Sequence, residues 1–362
     1  MNNTTLDRGE RRGVRNTHNI ISIIFLSLVA LMALSFSIVL LIRNANLQRQ
    51  EDAVKSELDA LNAEGYYTEI EAQKLVENAK LEAEESTKNS IRAMIQERLE
   101  GGDSATTAIR ALFPDQIVVA SSGRYYFFPI TDQIEHHGFS EEDFVEGEDG
   151  FLEYVGDDPS VSIKKGVDVS RFQGNIKWDK VKAAGVDFAI VRAGLRGTTE
   201  GKLLTDDYFE DNVEGATENG IDVGVYFYSQ AVNETEAKEE VQMILDLIEP
   251  YEITYPVVID VESAESDTAR TANLSSDDYE KVVEVFCETV RNAGYTPMVY
   301  GNVKSFTLLM DAMDVDDYDI WIAYYGTPLY YPYHFNIWQF TSSGSIDGID
   351  GDVDLNIAIN GY

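Results

Sequence analysis

Residues 256–262 read PVVIDVE, an apolar run that ends in two acids separated by a valine. The β-branched run predicts a buried strand, and polar residues at the end of such a strand mark the place where many folds carry their chemistry. Because side chains alternate along a strand, Asp260 and Glu262 lie on the same face. This stretch therefore predicts a strand that delivers two carboxyl groups to one pocket.

Apolar strands alternate with amphipathic helices on both sides of this stretch. Further strands are predicted at 166–170, 186–192, 223–229, 297–300, 320–324, 336–340 and 352–355, and helices at 178–184, 206–219, 234–247, 279–290 and 306–310. Eight strands with helices between most of them are typical of an α/β fold of the (β/α) TIM-like barrel type. The last strands lack clear helices between them, so we expect an irregular final third.

Acidic residues follow other predicted strands of this barrel as well. Asp168 ends the first strand and Asp354 ends the last one, and in such barrels the strand ends surround the active site. Close carboxylates repel each other and burial favours the neutral form, so one of them can keep a proton near neutral pH. Cleavage of a glycosidic bond needs an acid of this kind next to a second carboxylate.

The composition excludes several other kinds of function. The chain has 28 Lys and Arg against 64 Asp and Glu, a net charge of −36, which argues against nucleic-acid binding. One Cys and four His supply neither a zinc site nor a Ser-His-Asp relay, and Cys287 lies on an apolar helix face. Residues 347–354 resemble a calcium loop, but Leu355 and Gly361 stand where Gly and Glu are required, so we expect no metal.

The segment 20–42 contains 23 residues without a charge and predicts a transmembrane helix about 34 Å long. A cleaved signal peptide is the alternative, but the run exceeds the usual apolar length and no small-residue cleavage motif follows it. Four arginines precede the segment, so residues 1–19 are expected to be a cytoplasmic tail and the rest of the chain to lie outside a bacterial cell membrane.

Between the membrane segment and the barrel the sequence predicts a stalk and a small module. Residues 43–100 are rich in helix formers, with a capping box from Thr68, and should form a helical stalk extending from the membrane. A stalk-mediated dimer or an envelope protein partner is an alternative use of this segment. Residues 101–165 predict a small α+β module with a hairpin at 116–128. The acidic residues 141–158 are expected to be a solvated linker or edge that binds no ligand.

Seven sequence blocks of the predicted barrel occur in the order found in a known enzyme family. They are GVDVS with QGNIKW (166–178), VDFAIVR (186–192), VYFYSQA (225–231), PVVIDVE (256–262), WIAY (321–324), WQFT (338–341) and VDLN (353–356). Through them the region 166–360 resembles the muramidases, or lysozymes, of glycoside hydrolase family 25. The resemblance does not extend to residues 1–165.

The resemblance implies hydrolysis of the β-1,4 bond between N-acetylmuramic acid and N-acetylglucosamine in peptidoglycan, on a flattened, incomplete barrel and without a cofactor. It implies that Glu262 is the general acid and that Asp260 orients the reacting N-acetyl group or stabilises positive charge. Asp168 and Asp354 would line the same cleft and tune the proton on Glu262. Whether the acetamido group or water attacks is left open.

Aromatic side chains near strand ends are candidates for stacking on sugar rings. The predicted substrate-binding residues are Tyr226, Tyr228, Tyr300, Tyr324 and Trp338, together with Arg192, which could meet a carboxylate of the cleft or the muramyl lactyl group. Ordinary barrel packing is the alternative for each aromatic. The expected protein is a membrane-anchored hydrolase that remodels cell wall, and the alternative is a non-catalytic peptidoglycan-binding or envelope scaffold protein.

Overall fold

The computed structural model describes residues 10–63, 69–263, 266, 268–326 and 329–362, with side chains for all of these except residues 10–33, 62 and 141. The chain divides into two compact units, Met1–Ser104 and Ala105–Tyr362.

The first unit is a pair of long helices, α1 (Glu10–Ala63) and α2 (Glu69–Glu100). Glu51 of α1 pairs with Lys80 of α2 at 3.8 Å, while Ile42 and Thr87 line one shared groove. Residue numbers fall along α1 as they rise along α2, so the helices are antiparallel. The predicted stalk, residues 43–100, is therefore helical but folds back on itself instead of extending as one rod. The capping box predicted at Thr68 lies outside the described residues.

The predicted membrane segment, residues 20–42, falls within α1, but the side chains of residues 20–33 lie outside the described part of the structure. Among the described residues, no helix has both the length and the apolar character needed to cross a membrane. The membrane segment accordingly stays a prediction from the sequence.

The second unit begins with the predicted small module, which contains α3 (Ala105–Arg110) and an antiparallel hairpin of β1 (Gln116–Ser121) and β2 (Arg124–Pro129). The hairpin confirms the prediction from the sequence. It forms because two apolar runs flank Ser122 and Gly123, both of which adopt positive φ in the turn.

The acidic stretch 141–158 is folded and is not the solvated linker that its charge predicted. It forms a second antiparallel hairpin of β3 (Phe144–Glu146) and β4 (Leu152–Tyr154). Phe144, Phe151 and Leu152 are buried in the main hydrophobic core. Apolar residues spaced among the acids provide this anchor, and most of the acidic side chains that the structure describes in this stretch are exposed.

The rest of the unit is the predicted α/β barrel. Its elements are β5 (Ile163–Val169), α4 (Trp178–Ala183), β6 (Phe188–Arg196), β7 (Leu203–Thr205), α5 (Phe209–Glu218), β8 (Asp222–Tyr228), α6 (Glu234–Ile248), β9 (Val257–Asp260), α7 (Ser276–Asn292), β10 (Pro297–Asn302), β11 (Asp319–Ala323), β12 (Ile337–Gly344) and β13 (Val353–Ile359). Short turns of π and 3-10 helix, Ser305–Leu309 and Ala312–Asp314, follow β10. The irregular final third is thus confirmed.

The sheet is closed, whereas the family resemblance implied an incomplete barrel. Eight strands follow one another in the order β5-β6-β8-β9-β10-β11-β12-β13, and β13 pairs back with β5. The strands from β5 to β12 in this ring run parallel, and β13 runs antiparallel to both of its neighbours. The ring is therefore completed by a strand of reversed direction.

One end of the barrel is filled by packed side chains. The ring of Phe188 stacks on Tyr255 with 4.6 Å between centroids, in one buried cluster with Val258 and Met298. A Cβ atom at Gly166 would lie 2.1 Å from the Phe188 ring, so only glycine fits there. Phe188 is the first residue of β6, so the filled end is the one at which the parallel strands begin. The accessible end of the barrel is therefore the one at which these strands terminate.

The small module packs against the barrel at the connection between β11 and β12. The backbone N–H of Val118 donates to the Tyr330 hydroxyl at 2.7 Å, and that of His334 donates to the Glu135 carbonyl at 2.7 Å. The ring of Phe144 meets Trp338 edge to face at 5.5 Å. Module and barrel share one core, so a domain boundary at residue 165 would cut through it.

We expect a chain shortened to residues 163–362 to be much less stable than one comprising residues 105–362. Removal of the module exposes Trp338 and neighbouring aromatic side chains, and each buried aromatic contributes about 1.5–3 kcal/mol to the free energy of unfolding. Thermal unfolding followed by circular dichroism measures the difference. Equal melting temperatures, with equal binding of a hydrophobic dye, would show that the module does not support the barrel.

Candidate active site

A cleft of about 430 Å³ lies at the accessible end of the barrel. All four predicted acids line it, as do most of the predicted binding residues: Asp168, Asp260, Glu262 and Asp354, with Arg192, Tyr226, Tyr228 and Tyr300. The strands bring these residues together because each carries an inward-facing side chain at the same rim.

Asp354 reaches the rim by a different route from the one the sequence suggested. It is the second residue of β13 and does not end that strand. Because β13 runs antiparallel to β5, its first residues lie beside the last residues of β5, and Asp354 is paired directly with Asp168. The reversed strand therefore places two carboxyl groups opposite each other.

Asp168 is buried and accepts two hydrogen bonds on one oxygen. Gln339 Nε2 and Asn356 Nδ2 each donate to Asp168 Oδ2 at 2.8 Å. Burial raises the pKa of Asp168 well above its ordinary value, and the neighbouring charge of Asp354 raises it further, against the two donors. Burial likewise raises the pKa of Asp354. The two carboxyl groups together favour retention of a proton.

Asp260 is only 6% exposed, and its Oδ1 atom has no hydrogen-bond partner among the described residues. Burial raises the pKa of Asp260 well above its ordinary value, with further contributions from the charges of Glu262 and Asp168, while Arg192 opposes the shift. Glu262, two residues beyond on the same face, is partly exposed in the cleft. The pair thus combines a buried carboxyl group with one that substrate can reach.

Arg192 lines the cleft, but its carboxylate partner is not one of the four acids. Its Nη2 and Nε atoms lie 2.6 and 2.7 Å from Asp206 Oδ2. Asp206 also accepts from the backbone N–H of Arg171 at 3.1 Å, which holds the segment after β5 against β6. That segment presents Phe172, 73% exposed at the rim, with the Arg192 guanidinium 5.0 Å from its ring centroid.

Tyr324 and Trp338 were predicted to bind substrate, and this prediction is wrong because both face away from the cleft. Trp338 is buried against Phe144 and donates from Nε1 to the Tyr324 carbonyl at 2.9 Å. The Tyr324 hydroxyl accepts from Arg110 of the module at 3.4 Å. Their next neighbours along the chain, Tyr325 and Gln339, do line the cleft. Side chains alternate in direction along a strand, so an error of one residue reverses the face.

The cleft contains residues that the sequence analysis missed, among them Phe172, Trp321, Tyr325 and Gln339. Alternation supplies a signal for two of them, since Gln339 follows Trp338 and Tyr325 follows Tyr324. Within the described residues, no three His, Cys, Asp or Glu side chains are placed to hold a metal ion.

Comparison with known proteins assigns this arrangement to a family. The model of glycosyl hydrolases family 25 matches residues 167–349, about half of the chain, including Asp168, Asp260 and Glu262. The chain belongs to glycosyl hydrolases family 25. It is therefore a glycoside hydrolase, and Asp354 lies just beyond the matched range.

Two lysozymes resemble about half of the chain in sequence. It is 29% identical over 198 residues to the autolytic lysozyme of Clostridium acetobutylicum, covering 53% of this chain and 55% of that protein. It is 29% identical over 206 residues to lysozyme M1 of Streptomyces globisporus, covering 53% and 66%.

Among solved structures, the modular autolysin LytC of Streptococcus pneumoniae, determined with a synthetic peptidoglycan ligand, is 27% identical with a TM-score of 0.51. The similarity covers 66% of this chain and 57% of LytC. The chain thus spans little more than half the length of LytC and of the Clostridium lysozyme.

We expect Asp260→Asn to stabilise the fold at neutral pH. At pH 4, near the ordinary pKa of an aspartate, about half of the unfolded chains carry the protonated group, whereas the folded protein keeps the group protonated. As the pH rises further, the unfolded chain ionises first, so the folded protein loses stability until the pH passes its raised pKa. An amide avoids this loss, and the gain near pH 7 should be about 1–3 kcal/mol.

Thermal unfolding at pH 7 and pH 4 measures this effect, with Glu284→Gln, an exposed position on α7, as the matched control. The difference between Asp260→Asn and the unmodified protein should shrink at the lower pH. A lower melting temperature of Asp260→Asn at pH 7 would contradict the expected burden of the buried charge.

Proposed function

We propose that this family 25 hydrolase is an N-acetylmuramidase that cleaves the β-1,4 bond between N-acetylmuramic acid and N-acetylglucosamine in peptidoglycan. The observation that carries the proposal is the pair of carboxyl groups, Asp260 and Glu262, on one face at the end of β9. The names of the two lysozymes and the peptidoglycan ligand of LytC support the same substrate class.

In the proposed reaction Glu262 donates a proton to the glycosidic oxygen as positive charge develops at the sugar carbon. Asp260, buried beside it, stabilises that charge or orients the N-acetyl group. Attack by the N-acetyl oxygen retains the anomeric configuration, whereas direct attack by water inverts it. The anomer formed first, observed by NMR, distinguishes the two routes.

Two tyrosine hydroxyl groups beside the acids stay neutral. Burial raises the pKa of Tyr226 and of Tyr300 well above the ordinary value, and nearby carboxylates raise both further. The hydroxyl groups therefore stay protonated at every pH at which a wall hydrolase works. Together with Tyr228 and the exposed ring of Phe172, they offer polar contacts and stacking surfaces for a glycan strand.

We expect Glu262→Gln to reduce hydrolysis of purified peptidoglycan at least about 100-fold while glycan binding persists, because the amide keeps the shape of the side chain but cannot donate the proton. Release of reducing ends measures the rate, and borohydride reduction followed by mass analysis identifies the terminal sugar. Glu284→Gln serves as the control for loss of one carboxylate.

Each result has a definite meaning for the proposal. Muramic acid at the new reducing end supports a muramidase, and glucosamine at that end contradicts it. Unchanged hydrolysis by Glu262→Gln would remove this residue from the mechanism. Binding of wall without any hydrolysis by the unmodified protein would favour the non-catalytic alternative.

We also propose that residues 20–42 anchor the chain in the membrane, with the N-terminus in the cytoplasm and the barrel outside, where it would remodel cell wall. The uncharged run and the preceding arginines support this orientation. At the described end of the run, large apolar side chains are exposed around the helix: Leu34, Phe36, Ile38, Val39, Leu40, Leu41 and Ile42. Lipid would cover such a surface, so the proposal requires α2, whose Thr87 shares a groove with Ile42, to leave this part of α1 when the segment inserts.

We expect the full chain to remain in the membrane fraction of bacterial cells after an alkaline carbonate wash, and a chain lacking residues 1–43 and any export signal to be soluble. Protease added to wall-stripped cells should digest the barrel if the orientation is correct. A soluble product that begins near residue 43 would instead identify a cleaved signal peptide, and a protected barrel would contradict the orientation.

A further inference from the structure

A buried chain of hydrogen bonds in the cleft begins at a group that can only donate. Trp321 Nε1 donates to Asn356 Oδ1 at 2.8 Å. An indole N–H cannot accept a hydrogen bond, so the oxygen of the Asn356 amide must face Trp321. The amide nitrogen then faces Asp168 and donates to its Oδ2 atom at 2.8 Å.

A second amide reaches the same carboxylate oxygen from β12. Gln339 Nε2 donates to Asp168 Oδ2 at 2.8 Å, and its Oε1 atom accepts from the hydroxyl groups of Tyr300 at 2.9 Å and Tyr325 at 2.8 Å. Asp168 Oδ2 thus faces two N–H donors. A proton on that oxygen would place an O–H donor against the N–H donors of Gln339 and Asn356, which is unfavourable.

We propose that Asn356, oriented by Trp321, and Gln339, oriented by Tyr300 and Tyr325, are positioning residues that keep Asp168 Oδ2 free of a proton. Any proton shared with Asp354 is thereby confined to Asp168 Oδ1 or to Asp354 itself. The inference rests on the proposed muramidase function and deepens it, because it excludes Asp168 Oδ2 as a site for the proton of this pair. The confined proton can then serve a polar group of a bound sugar.

Other ionisable side chains around Asp168 come from every neighbouring strand. They are Asp354 on β13, Asp260 and Glu262 at the end of β9, Arg192 on β6, Tyr226 on β8, Tyr300 on β10 and Tyr325 after β11. The acids disfavour ionisation of Asp168, and Arg192 is engaged by Asp206. The two amides are therefore the principal support for the ionised form of Asp168.

The test is Trp321→Phe, which removes the indole N–H and keeps an aromatic ring. Without that donor the Asn356 amide can rotate and present its oxygen to Asp168, so the ionised carboxylate loses one partner. The pKa values of the Asp168–Asp354 pair should rise, and the acidic limb of the kcat profile should move up by about one pH unit with little change in KM. Gln339→Met should move it in the same direction.

Trp338→Phe is the matched control. Trp338 is as deeply buried as Trp321 and also donates one hydrogen bond, at 2.9 Å, but to the Tyr324 carbonyl outside the cleft. This variant loses an indole N–H while the hydrogen bonds from Asn356 and Gln339 to Asp168 remain. We expect its pH profile to match that of the unmodified protein.

A second readout needs no substrate and separates this inference from the proposed function. The melting temperature of the full chain in detergent is measured against pH. The gap between Trp321→Phe and the unmodified protein should widen as the pH rises and the pair ionises, whereas a defect of packing alone would give a gap that does not depend on pH.

A pH-dependent difference in melting temperature for Trp321→Phe and Gln339→Met, absent for Trp338→Phe, supports the proposed role of the two amides. It does so even if the protein does not hydrolyse wall. The proposal is overturned if Trp321→Phe and Gln339→Met both leave the pH profile of kcat unshifted and both give a difference in melting temperature that does not depend on pH. The same pH-dependent gap in Trp338→Phe also overturns it, because the effect would then belong to buried indoles in general.

Discussion

The backbone pairing of β13 with β5 is the contact on which the rest of the site depends. It closes the sheet, and its antiparallel direction sets Asp354 opposite Asp168. A parallel final strand would have carried its first residues to the filled end of the barrel, away from Glu262 and Asp260. The direction of one strand thus determines that four carboxyl groups meet in a single cleft.

The cleft is electrostatically costly and organised around that cost. Its acids lose hydration on burial. Two amide donors compensate for this loss at Asp168, and Arg192, held in place by Asp206, favours the ionised form of Asp260. Asp260 Oδ1 is left without a partner among the described residues. Such a group is expected where substrate or a reacting water completes the hydrogen bonding, and it makes the protein less stable than its core would allow.

Local patterns predicted most of the barrel, because strand and helix periodicities are properties of neighbouring residues. They also predicted the pairing of Asp260 with Glu262 on one face. The sequence failed where the outcome depends on distant contacts. The hydrogen bond from Val118 to Tyr330 joins residues 212 positions apart, and no local feature of the acidic module indicates that it covers Trp338. For Tyr324 and Trp338, a one-residue error in assigning the face was enough to reverse the interpretation.

Strand β12 has one face in the cleft, through Gln339, and the other in the module, through Trp338. A slip of one residue would bury the Gln339 amide among aromatic rings and push the Trp338 indole into the acidic cleft, so both faces oppose it. Residues 105–162 emerge from the ribosome before any strand of the barrel. The surface that covers Trp338 is therefore synthesised first and is already present when the last strands of the barrel are made.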